Sequence, residues 1–84
     1  MPQHESAKKR VRQSLKRRLR NRIHKNRMRT MIKKVRSASA KGDAVVLLND
    51  TKAYLDRLSA KGIIHANMAA NTKSKLDRFV NTLA

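Results

Sequence analysis

Apolar residues recur at helical spacing through most of this chain and never alternate with period two, a pattern that predicts helices and no strands. Pro2 is the only proline, and Gly42 and Gly62 are the only glycines. From Ser6 to Lys41 no strong helix breaker occurs, and Ser6 reads as an N-cap. Gly42 and Asp43 offer a stop followed by a fresh cap, so a second helix is expected from Ala44 to Ala60, ending at Gly62. Asn67 reads as the cap of a third helix, from Met68 to Leu83.

The apolar faces tell how these helices pack. Val45, Leu48, Leu55 and Leu58 share one face of the second helix, with Tyr54 at its margin. Ala69, Leu76, Val80 and Leu83 do so in the third, with Phe79 beside them. The first helix is uneven. Met28, Met31, Ile32 and Val35 make a stripe wide enough to pack, whereas Val11, Leu15, Leu19 and Ile23 form a single file on the opposite side that drifts about 40° per step. A first helix of about 36 residues would span about 54 Å, against about 25 Å for each partner. Helices joined by short turns must be antiparallel neighbours. The expected fold is therefore all-α, a three-helix bundle in which a long basic first helix projects beyond two shorter antiparallel helices. Residues 1–84 form one domain, with 1–27 as a projecting basic arm and 28–84 as the bundle.

Charge turns that shape into a functional expectation. The 84 residues hold 22 Lys plus Arg against 5 Asp plus Glu, a net charge of +17. Residues 1–42 carry 16 of those cations and only one acid, Glu5. Eleven lie between Lys8 and Arg27, on every face of the helix: Lys8, Lys9, Arg10, Arg12, Lys16, Arg17, Arg18, Arg20, Arg22, Lys25 and Arg27. Arg29 extends the run. Like charges four residues apart, as in Lys8/Arg12 and Lys16/Arg20, weaken an isolated helix, so the arm should fray when free and gain helix as phosphates neutralise it.

Other partners fit less well. A membrane-surface helix needs one broad apolar face, which a single file does not provide. A basic zipper needs heptads directly after its basic region, and Gly42–Asp43 interrupts them. Single-strand RNA modules stack bases on exposed aromatics, and Tyr54 and Phe79 both sit at core positions. A DNA-compacting, histone-like protein and a cationic membrane-active polypeptide are the rivals. Catalysis has no candidate residues, since His4, His24 and His65 are scattered and paired carboxylates are absent; the chain contains no cysteine. Neither a metal site, a cofactor nor a small-molecule substrate is expected. His65 reads as a capping or turn residue. The longest apolar run, Ala44–Leu48, is too short for a signal peptide or a membrane helix.

Three stretches resemble a known family. They are Ser6-Ala7-Lys8-Lys9-Arg10 with Arg17-Arg18 and Asn21, then Arg29-Thr30-Met31-Ile32-Lys33-Lys34, then Ala60-Lys61-Gly62-Ile63-Ile64-His65-Ala66-Asn67-Met68-Ala69-Ala70 running on to Lys73-Ser74-Lys75-Leu76. In order and spacing the chain is similar to the S-twenty proteins of the bacterial small ribosomal subunit. It departs from them at Ala66, Met68 and Asn71, where basic residues are usual. The resemblance implies a cytoplasmic, ribosome-bound protein that binds small-subunit ribosomal RNA early in assembly, beside neighbouring small-subunit ribosomal proteins. It implies RNA contacts at Lys8, Lys9, Arg10, Arg17, Arg18, Thr30, Lys33 and Lys34, and at His65, Asn67, Lys73, Ser74 and Lys75.

Overall fold

A computed structural model describes residues 2–83, with side chains from residue 6 onward. The terminal residues of the expected domain, Met1 and Ala84, lie outside the described residues. Three helices follow one another: α1 (Pro2–Ser37), α2 (Lys41–Ala60) and α3 (Ala66–Asn81). No strand occurs among the described residues. The molecule measures 65 × 20 × 13 Å along its principal axes. α1, with its 36 residues, sets the long dimension.

α2 and α3 form a hairpin, and the C-terminal half of α1 packs across it. Two apolar clusters result. One gathers Met28, Tyr54, Leu55, Leu58, Ile64 and Ala69; the other gathers Val35, Ala44, Leu48, Leu76 and Val80. Ile32 touches both. Among the described residues Thr51 is the one buried polar side chain, and its hydroxyl donates to the Leu47 carbonyl at 2.8 Å. Ion pairs Lys52–Asp77 and Lys73–Asp56 tie α2 to α3.

Helix ends depart from the expected ones. α1 already runs at Pro2, which suits a first helical position because its ring presets φ, so Ser6 is interior and not a cap. α1 also stops at Ser37, four residues before Lys41. After Val35 only Ala38 still packs against the core, and the core-facing positions beyond it, Ser39 and Gly42, have no apolar side chain to bury, so continuing the helix gains little. The Ser37 hydroxyl donates back to the Lys33 carbonyl at 2.7 Å, and the chain reverses. Gly42 consequently lies inside α2, near its start, and does not end a helix. The buried stripe of α2 is Ala44, Leu48, Thr51, Leu55 and Leu58, and Val45, about 80° round the helix from Leu55, lies at its margin and is exposed. α3 is capped by His65, whose Nδ1 accepts from the Asn67 N–H at 3.0 Å, so Asn67 lies within the first turn and is not the cap. Burial of Ile64 just before the cap holds the chain entry two residues earlier than capping preference alone suggests.

The α2–α3 turn needs its glycine. Gly62 has φ +75. Its N–H donates to the Ser59 carbonyl at 3.0 Å, and the Ile63 N–H donates to the Leu58 carbonyl at 2.9 Å, the paired bonds of a Schellman motif. The two glycines should therefore respond oppositely to alanine. Gly42→Ala meets open space in a helix and should raise stability by about 0.5–1 kcal/mol. Gly62→Ala must hold a left-handed backbone and should lower it by about 1–2 kcal/mol. Thermal melting followed by circular dichroism checks both, and shifts of the same sign would contradict this account of the turn.

Candidate nucleic-acid interface

The N-terminal part of α1 stands clear of the bundle. Every side chain from Ser6 to Arg20 is exposed, Asn21 and His24 are half-buried, and Met28 is the first fully packed residue. No acid occurs in α1 after Glu5. Among the described residues both ion pairs lie between α2 and α3, so the arm's described cations have no carboxylate partner. Arginine can fork onto a phosphate and lysine acts as a mobile point charge, and both kinds are offered all round the helix.

The root of the arm is fixed by Tyr54. Its hydroxyl and His24 Nδ1 share a hydrogen bond of 2.8 Å, and the Arg27 guanidinium lies 5.3 Å from the ring centroid. The tyrosine is buried on α2, so one rigid aromatic grips α1 where it leaves the bundle. Above that grip a cleft is lined by Arg17, Arg20, Asn21 and His24 from α1 and by Lys61, Gly62 and Ile63 from the turn. Farther round, Arg18, Arg22, Lys25 and Arg29 line a shallow concavity with Asn21 and Asn26. The Thr30 hydroxyl donates to the Asn26 carbonyl at 3.0 Å, while Lys33 and Lys34 are exposed and line a shallow groove with Asp43 and Leu47 of α2.

The contacts expected on α3 are distributed differently. His65 and Asn67 are exposed but bonded to each other in the cap. Ser74 and Lys75 are exposed, whereas Lys73 Nζ lies 2.7 Å from Asp56 Oδ1. His65 and Asn67 follow the same turn as Lys61; Lys73, Ser74 and Lys75 lie two turns farther along α3. No group of three or more His, Cys, Asp or Glu among the described residues is placed to hold a metal ion. No described helix is long and apolar enough to cross a membrane.

The family profile of ribosomal protein S20 matches residues 2–81. The chain belongs to the ribosomal protein S20 family. It is 60% identical over 83 residues to small ribosomal subunit protein bS20 of Salinibacter ruber, with 99% of each chain covered. It is 44% identical over 84 residues to bS20 of Phocaeicola vulgatus, covering 100% of both, and 45% identical over 84 residues to that of Cytophaga hutchinsonii, covering 100% and 99%. As a family member it is a structural protein of the small ribosomal subunit, in the cytoplasm, and not an enzyme.

Within this S20 chain the residues expected from the sequence fall into two unequal sets. The arm cations are collected on one projecting element, and the α3 residues lie apart from it, partly engaged in caps and ion pairs. Lys61 was not among the expected contacts. Its position beside Arg17 and Arg20 follows from the turn that folds it back toward α1, and only its basic type signals it in the sequence.

Proposed function

We propose that residues 1–27 act as an arm that binds folded small-subunit ribosomal RNA, and that the bundle of residues 28–84 sets the arm's direction. By neutralising phosphates of RNA helices that converge from several sides, the arm stabilises their approach during subunit assembly. The observation that carries this reading is the continuous cationic surface of α1, exposed from Ser6 to Arg20 and unopposed by any described carboxylate. Contacts come from the arm cations named above, continue through Arg29, Thr30, Lys33 and Lys34, and gain Lys61 from the turn. His65, Asn67, Ser74 and Lys75 add a second, smaller contact area. Lys73 adds less, because Asp56 already engages it. Neighbouring small-subunit proteins complete the surroundings.

The protein should co-sediment with small subunits through a moderate salt wash. With about 8 phosphates contacted, the logarithm of its affinity for the RNA should fall against the logarithm of salt with a slope of about −6 to −7. A slope shallower than about −3 contradicts the arm. Equal affinity for duplex DNA in competition would favour a DNA-compacting protein, and leakage from anionic vesicles a membrane-active one.

A further inference from the structure

The apolar file on the arm plays no part in the reading above. Val11, Leu15, Leu19 and Ile23 are 58–61% exposed, on the side of α1 opposite Met28 and Val35. Nothing in the bundle needs them there. Their four-residue spacing makes them a row about 18 Å long, inclined to the helix axis. The adjacent row on one flank is Lys8, Arg12, Lys16 and Arg20, all basic; on the other it is Ser14, Arg18, Arg22 and Asn26. Each flank lies about 60° round the helix from the apolar row.

We propose that this row seats in the shallow groove of an A-form RNA duplex. The apolar side chains would lie against ribose faces and base edges, and the flanking cations would reach the phosphates of the two strands that border the groove. This inference rests on the arm being an RNA-binding surface, and it names the part of the RNA that the arm meets. Charge complementarity selects the occupant. An apolar strip between two cationic margins calls for a surface with a weakly polar floor between two anionic walls. The wide, shallow groove of A-form RNA has that profile, whereas its deep groove is too narrow for side chains to read.

Protein partners fit the row poorly. A coiled-coil seam alternates steps of three and four, and steps of four alone drift about 40° each, so a straight partner helix would leave the row after two contacts. Such a partner would also need acids along both margins. A bilayer requires a broad apolar face, and here cations stand on either side of a single file.

The full-length protein carrying Leu15→Gln and Leu19→Gln keeps its charge and nearly its helix propensity. Binding to purified small-subunit ribosomal RNA should be measured across a potassium chloride series. The variant is expected to bind about ten- to thirtyfold more weakly at every salt concentration with the same salt slope, because apolar contacts release no counterions. Protection of riboses from hydroxyl radicals at the arm's footprint should disappear with it. Unchanged affinity overturns the proposal. So does normal RNA binding combined with poor incorporation into subunits, which assigns the row to a protein neighbour. If the unmodified protein itself lacks a steep salt slope, the RNA-binding reading fails first, and the two failures are thus distinguishable.

Discussion

Replacing Lys8, Arg12, Lys16 and Arg20 together by glutamine is expected to weaken binding to small-subunit ribosomal RNA by about two to three orders of magnitude at about 0.15 M salt. Each lost phosphate contact removes about 0.7–0.9 from the salt slope, so the slope should become shallower by about 3. The fold should not change. All four side chains are exposed and belong to no ion pair among the described residues, and glutamine is a good helix former. The melting temperature should hold or rise slightly, because three like-charge pairs at i and i+4 disappear. Filter binding across a salt series reads the effect. A loss of affinity with an unaltered slope would mean that these cations do not meet phosphates. Lys73→Gln provides the contrast. Its ammonium is held by Asp56, and a cation already paired has less to gain from a phosphate, so the slope should change less than for Lys16→Gln.

Leu55→Ala should unfold most of the free protein at 25 °C (about room temperature). Leu55 is fully buried in the cluster of Met28, Tyr54, Leu58, Ile64 and Ala69, which joins all three elements of the bundle. Removing a fully buried leucine side chain costs about 2–5 kcal/mol, the upper part applying where the site cannot collapse. A single core this small supplies about 3–5 kcal/mol in total. Urea titration followed by circular dichroism should find no stable baseline for the variant. Ligand that binds only the folded form restores stability by mass action, so saturating RNA should recover the bundle's helicity. A well-formed transition close to that of the unmodified protein would refute this account of the core.

The helical content and most of the core were legible in the sequence because both follow from local spacing. Met28, Val35, Leu48, Leu55, Leu58, Ala69, Leu76 and Val80 stand at core-facing positions that the period alone selects, and all are buried. Helix ends were less legible, since tertiary packing decides them. Gly42 looks like a terminator, yet α1 ends earlier, where its core-facing side chains run out. Val45 shows how a residue at the margin of the apolar face is left out of the core, and Thr51 how a threonine on the stripe can be buried by bonding its hydroxyl within its own helix. For the interface, charge identified the arm and its direction but not its polyanion, since phosphates of DNA and RNA attract cations alike. Resemblance to a family named ribosomal RNA, and the profile match placed the chain in that family. Lys61 needed the fold, because it lies about forty residues along the chain from the cations it joins.

The tyrosine grip at the root of the arm has a mechanical consequence. From His24, the outermost residue that Tyr54 engages, to Ser6 the helix rises about 27 Å, and every side chain from Arg20 to Ser6 is exposed, so a rotation of about 10° at the root moves that end by about 5 Å. The packing of Met28, Ile32 and Val35 in the bundle, with the contacts of His24 and Arg27 to Tyr54, therefore sets its aim. On the proposed reading the bundle is the mount of a lever, and small shifts at its root decide where the farthest cations arrive.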